Sequence, residues 1–139
     1  TLGRLAFIEA GLPVPLSNVW VVDGHPVYRL DHLLPYHWVA FEGDGAGKYR
    51  NSPDPAAVVA AEKDRHRYLR RRLGLDVERY DWRLAMYQRD RFAAWIRDVL
   101  AANPPRDEPI QWWPTDNPFI GPDGPLYDQE WLAYRDSAF

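Results

Sequence analysis

The 139-residue chain carries 17 Lys/Arg against 20 Asp/Glu, a net charge of −3, with 46% hydrophobic and 27% charged residues. That is the balance of a globular domain long enough to bury a core, which excludes a disordered or fibrous protein. The absence of cysteine removes thiol catalysis, thiolate metal sites and disulfides, and no apolar run or N-terminal pattern marks a membrane span or a signal peptide. A cytoplasmic protein is expected, and with Thr1 rather than Met at the first position a fragment or a processed product is expected too.

Residues 2–10, LGRLAFIEA, place apolar side chains at helical spacing and stop at Gly11, a C-terminal cap. Two prolines in the following GLPVPLS forbid a continuing helix. From Asn18 to Asp44 β-branched and aromatic residues dominate, and Asp23-Gly24 sits where a hairpin turn would fall. Strands are predicted over 18–22, 26–34 and 38–44.

The stretch VAFEGDGAGKY, 39–49, invites a phosphate-loop reading. A Walker A loop needs four residues between its glycines and a Ser or Thr after the lysine. Here three separate Gly43 from Gly47, and Tyr49 follows Lys48. Nucleotide hydrolysis is set aside.

A metal site fits the same residues better. Glu42 and Asp44 share one face of the third strand, and a two-residue turn at Tyr36-His37 would bring Asp31 opposite Glu42. A one-residue slip would send Asp31 to the other face. In the aligned register three carboxylates meet at one sheet edge, suited to a hard cation such as Mg²⁺. The competing reading is a solvated hairpin end with an Asp-Gly turn. The histidines His25, His32 and His37 lack a repeated ligand spacing, which argues against zinc.

The clearest helix is SPDPAAVVAAEKDRHRYLRRRLG, capped by Asp54, with Pro55 in its first turn and Gly74 at its end. Its inward stripe is predicted as Val59, Glu62, His66, Leu69 and Leu73. Glu62 and His66 on that stripe need partners; for Glu62 these are Arg79 or Lys63. A strand over 75–82 and a helix over RDRFAAWIRDVLAA, burying Phe92, Trp95, Ile96 and Val99, complete an αβββαβα order. That order implies an α/β fold with a mixed sheet flanked by helices.

Charge is segregated along the chain: residues 1–62 hold four Lys/Arg against seven Asp/Glu, 63–102 eleven against six, and 103–139 two against seven. A basic middle can bind a polyanion whatever the net charge, or can simply be a solvated helix face. Positive charge comes from fifteen arginines and only two lysines, Lys48 and Lys63, both near the carboxylates. Residues 103–139 form a Pro/Trp-rich, acidic, irregular tail. It is expected to wrap over the 1–102 domain, to hold a partner, or to cover the basic face as a DNA mimic.

Taken in order, these residues resemble the PD-(D/E)XK nuclease superfamily, near the small actinobacterial proteins related to very-short-patch-repair endonucleases. The matching pieces are Ala10-Gly11-Leu12-Pro13 with Pro15, Arg29-Leu30-Asp31, Glu42 through Tyr49, Glu62-Lys63, and Val77 through Trp82. The resemblance covers about residues 4–100 and implies a restriction-endonuclease-like fold and a Mg²⁺-dependent DNA endonuclease, with Mn²⁺ as a substitute. Asp31 and Glu42 would bind the metal with Asp44 as a third ligand. Asp44 stands at the lysine position of the family's E-x-K triplet, so Lys48 would take the lysine's role, with Lys63 as its alternate. Arg50, Arg65, Arg67, Arg70, Arg71 and Arg72 would hold the DNA backbone, and Glu62 and His66 would support the ligands. A fold of this kind that has lost catalysis, serving as a DNA-binding or protein-interaction module in regulation, defence or a phage, is the alternative.

Overall fold

The computed structural model describes residues 2–23, 26–43, 53–114, 119–121 and 124–126. Helix α1 (Leu2–Glu9) is closed by Gly11, whose φ of +67° is the left-handed cap conformation that glycine adopts without strain. The Gly11 and Leu12 amides there bond back to Ile8 O at 3.1 Å and Phe7 O at 3.0 Å. Strands β1 (Leu16–Val22), β2 (Pro26–Leu34) and β3 (Val39–Gly43) follow as an antiparallel meander.

β4 (Asp76–Tyr80) lies parallel to β3, which requires a crossover, and α2 (Pro55–Arg67) supplies it. Asp54 caps α2 by accepting from Ala57 N at 3.1 Å, with Pro55 behind it. The helix then widens into a π turn, Tyr68–Arg72, and ends at Gly74 (φ +73°). After β4 come α3 (Trp82–Tyr87) and α4 (Arg89–Ala102). A short β5 (Trp112–Pro114) pairs with β1, and β6 (Phe119–Gly121) pairs with β7 (Gly124–Leu126). The main sheet is mixed, in the order β4-β3-β2-β1-β5, and the fold is α/β.

Two apolar clusters lie against this sheet. On the side of α1, α3 and α4, Phe7, Leu34, Val39, Phe41, Tyr80, Phe92 and Ile96 pack together. Edge-on aromatic pairs such as Phe7–Phe41 (5.3 Å) and Tyr80–Phe92 (5.2 Å) fill its centre. The second cluster gathers Val19, Val21, Leu30, Leu33, Ala40, Val77, Leu69 of the π turn, and Ile110. β3 therefore sends Val39 and Phe41 into one cluster and Ala40 toward the other, as strand alternation requires.

β2 does not divide so simply: Leu34 joins the first cluster and Leu30 the second. Between them, Asn18 of β1 has φ +50°, and the ladder lacks a rung between Ser17↔His32 and Val19↔Leu30. Asn tolerates this conformation better than other non-glycine residues. Beyond it the hairpin curls: Ile110 N bonds Pro35 O at 3.1 Å while Val22 N bonds Gln111 O at 2.9 Å. Two consecutive residues thus touch the β2–β3 turn and the far end of β1.

Three sequence expectations shift. The strand over 75–82 stops at Tyr80, because the Asp81 side chain accepts from Arg83 N at 2.8 Å and caps α3, a helix too short to show periodicity. On the predicted inward stripe Val59 is 39% exposed, and α2 has no fully buried residue; burial begins with Leu69. Trp95 is half-buried, and Ala93 takes a buried place beside Phe92, Ile96 and Val99. Among the described residues no helix is long and apolar enough to cross a membrane.

Residues 103–110 pack back onto the β2–β3 turn. Trp38 Nε1 donates to Glu108 O at 2.9 Å, the Arg106 guanidinium lies 4.5 Å from the Trp38 ring centre, and His37 Nδ1 donates to Asn103 O at 2.8 Å. Ile110 is buried.

Candidate functional site

The β2–β3 turn determines which side chains meet. It spans Pro35–Trp38, closed by Trp38 N donating to Pro35 O at 3.3 Å, and gives the register His32↔Phe41 and Leu34↔Val39. Just past the last rung of this ladder, Asp31 and Glu42 line one cleft. Gly43 N donates to Asp31 Oδ2 at 3.1 Å, which fixes that carboxylate at the end of β3.

Glu42 is 8% exposed and would be costly to bury as a lone anion. Arg65 of α2 answers it with both arms of its guanidinium: Nη1 donates to Oε2 at 2.7 Å and Nη2 to Oε1. Nη2 also donates to Arg29 O at 2.8 Å, and the guanidinium lies 5.5 Å from the Tyr28 ring centre. Burial opposes the charge on Arg65, but the bonded Glu42 and nearby Glu62 outweigh it and hold the pKa above the ordinary arginine value.

β4 adds the second half. Its parallel register sets Arg79 beside Glu42, and the Arg79 side chain reaches up to α2. There Nη2 bonds Glu62 Oε2, while Nε donates to His66 Nε2 at 3.2 Å. An acceptor Nε2 means a neutral imidazole. Burial, then the positive charge of Arg79, lower the His66 pKa despite Glu42 Oε2 at 4.0 Å. The outcome is a network of two carboxylates and two guanidiniums around a neutral histidine, under the crossover helix.

A cleft of about 260 Å³ opens here, lined by Arg29, Asp31, Glu42, Glu62, Arg65 and Arg79. A neighbouring groove of about 470 Å³ runs past Val59, Lys63, His66 and Arg67. Lys63 therefore faces the groove rather than the carboxylate cleft. Asp44, Lys48 and Arg50 lie outside the described residues. The remaining candidate arginines do not form one face. Arg70 donates to Val77 O at 2.8 Å on the β4 edge, Arg72 Nε donates to Asp23 at 3.4 Å, and Arg67 and Arg71 are exposed.

Two adjacent carboxylates are hard oxygen donors of the kind Mg²⁺ takes. Among the described residues, however, no group of three ligating side chains is assembled, and both Glu42 oxygens are engaged by Arg65. A cation at Glu42 would have to take the place of that guanidinium.

Sequence reasoning brought Asp31 opposite Glu42 in one of two registers and offered Arg79 or Lys63 as the partner of Glu62, which the structure pairs with Arg79. It missed that Arg65 turns inward, because a run with Arg65, Arg67, Arg70, Arg71 and Arg72 looks uniformly solvated. The available signal was the i, i+3 pair Glu62–Arg65, on the helix face that also holds His66.

On the opposite face His32 is a second buried polar group, with Nε2 3.1 Å from Tyr80 Oη and Nδ1 3.5 Å from Ser17 Oγ. Burial, with Asp31 adding to it, pushes the Tyr80 hydroxyl up to about 12. Burial likewise lowers the His32 pKa, against the pull of Asp31. A neutral His32 ring and a protonated Tyr80 hydroxyl thus share this bond.

With this geometry in hand, comparison with known proteins adds no relative: no family model, no curated protein and no solved structure matches the chain.

Proposed function

We propose that the chain is a metal-dependent DNA endonuclease domain of the PD-(D/E)XK type, acting in the cytoplasm on phosphodiester bonds. The observation that carries this reading is the cleft in which Asp31 and Glu42 meet at the end of β3, beneath a crossover helix whose last turn and π extension carry five arginines. The order helix, three-stranded meander, crossover helix, parallel strand supports it, being the order expected of a restriction-endonuclease-like fold.

In this reading Asp31 and Glu42, with Asp44, hold Mg²⁺ or Mn²⁺. The cation supplies an activated water and neutralises charge on the phosphoryl oxygens. The chain's own residues do the rest. Gly43 N–H holds the Asp31 carboxylate at the strand end, and Arg79 keeps Glu62 and His66 in place above it. Lys48 would provide an ammonium for the developing charge, Lys63 lying on the neighbouring groove. Exposed Arg67 and Arg71 contact the DNA backbone, which needs charge but no base reading.

A second reading is favoured by one observation, the bidentate Arg65–Glu42 pair. If that guanidinium stays in place, the domain is a catalytically inactive nuclease fold serving as a DNA-binding or protein-interaction module. One experiment separates the two: supercoiled plasmid is incubated with Mg²⁺ or Mn²⁺ and either wild type, Asp31→Asn or Glu42→Gln. Metal-dependent nicking that both substitutions abolish supports the endonuclease. Plasmid bound but uncut by the wild type overturns it in favour of the second reading.

A further inference from the structure

Glu42 is a buried carboxylate at the end of β3, and a positive group of the same chain occupies both of its oxygens. We infer that Arg65 is a built-in stand-in for the divalent cation, so that the Arg65–Glu42 pair and metal binding at Glu42 exclude each other. This rests on the proposal that Asp31 and Glu42 take a divalent cation, and it adds what governs their affinity for it.

Three features of the seat support a competitor rather than a passive surface pair. The Arg65 and Glu42 side chains are only 14% and 10% exposed, so the pair is shielded from the screening that weakens surface ion pairs. Both carboxylate oxygens are bound, which leaves no bidentate position open while the pair persists. The guanidinium is also held from its other sides, by Arg29 O at 2.8 Å and the Tyr28 ring at 5.5 Å.

Charge arithmetic gives the consequence. With Arg65 on Glu42 the pair is neutral. With a divalent cation on Glu42 and the guanidinium released, the same cleft gains two positive charges, next to Arg29 and Arg79. Metal binding and polyanion binding should therefore strengthen each other, since each favours the state in which Arg65 has left Glu42.

The test is Mn²⁺ binding to the full chain without DNA, followed by the paramagnetic resonance signal of free Mn²⁺. Arg65→Gln removes the competing charge and should bind Mn²⁺ at least about tenfold more tightly than wild type. Damage to a merely structural contact would lower the affinity or leave it unchanged. Arg65→Lys keeps the charge but cannot bind both oxygens, and should fall between the two. Should circular dichroism show Arg65→Gln unfolded, Tyr28→Leu weakens the guanidinium's seat from the far side and should shift affinity in the same direction. Equal affinity in wild type and the folded variants overturns the inference, as does an absence of Mn²⁺ binding in all of them.

Plasmid nicking run in parallel separates this inference from the proposed activity. Nicking by the wild type with unchanged Mn²⁺ affinity in the variants overturns the competition and leaves the endonuclease standing. Tighter Mn²⁺ binding by Arg65→Gln without nicking by any protein supports the competition and overturns the endonuclease.

Discussion

Ile110 tests whether the segment after α4 belongs to the fold or merely lies on it. Its side chain is 3% exposed, packed in the second apolar cluster with Val19, Val21, Leu33 and Leu69. Truncating a fully buried isoleucine to alanine costs about 2–5 kcal/mol, depending on how far the site collapses. Ile110 lies outside helix and strand, where the backbone can relax, so Ile110→Ala is expected to lose about 2–3 kcal/mol. For a chain of this length that is a fall in melting temperature of roughly 6–12 °C. Urea unfolding followed by circular dichroism reads the free energy directly, with a midpoint shift and an unchanged slope. A loss below about 0.5 kcal/mol, the range of an ordinary surface substitution, would refute the reasoning. It would mean that the Glu108 and Arg106 contacts to Trp38 do not hold the segment in place.

Three further expectations follow from buried polar groups and backbone geometry. Tyr80→Phe deletes the hydrogen-bond partner of His32 Nε2 and leaves a buried ring nitrogen unpaired, a loss of about 1–3 kcal/mol by the same urea assay; wild-type stability would refute the bond. His32 and His66 both have folded pKa values below the ordinary histidine value, so the unfolded chain binds their protons first. The stability they contribute is complete above about pH 6.5 and is lost as pH falls through the folded values. Unfolding free energies at pH 7.5 and pH 5 should therefore differ, less so in His66→Gln; an identical difference in that variant would remove His66 from the account. Asn18→Val forces a β-branched residue into φ +50° and should cost about 1–2 kcal/mol. Unchanged thermal stability there would mean that β1 straightens at no cost.

The parts of the fold legible in the sequence are those set by local chemistry. Gly11 and Gly74 end helices because only glycine enters φ > 0 freely, and Asp54-Pro55 opens α2 by capping. The side-by-side placement of Asp31 and Glu42 was legible too, since an even turn preserves the period-2 alternation that pairs them. What stayed hidden depends on three-dimensional company. The curl of the β1–β2 hairpin turns on a single left-handed Asn18, a residue equally at home in many conformations. The widening of α2 into a π turn at Tyr68–Arg72 leaves no mark in a run of arginines. The inward Arg65 is indistinguishable in composition from exposed Arg67 and Arg71; only Glu42 beneath it decides.

That last point bears on why the pair exists. A shielded ion pair is a poor way to stabilise a fold, because desolvating two charges offsets most of their attraction. If Glu42 and Arg65 served stability alone, two well-packed apolar side chains would serve as well or better. The double variant Glu42→Leu/Arg65→Met is therefore expected to match the wild type or exceed it by up to about 2 kcal/mol. Each single change strands one charge and should lose about 2–4 kcal/mol, discounted from a fully buried pair because both side chains retain some exposure. Urea unfolding of all four proteins gives the coupling energy. A double variant several kcal/mol below the wild type would mean that the network through Arg79, Glu62 and His66 is a structural unit needing its charges. A double variant as stable as the wild type would leave the ionised carboxylate without a structural reason, and the reason would then lie in what Glu42 binds when Arg65 lets go.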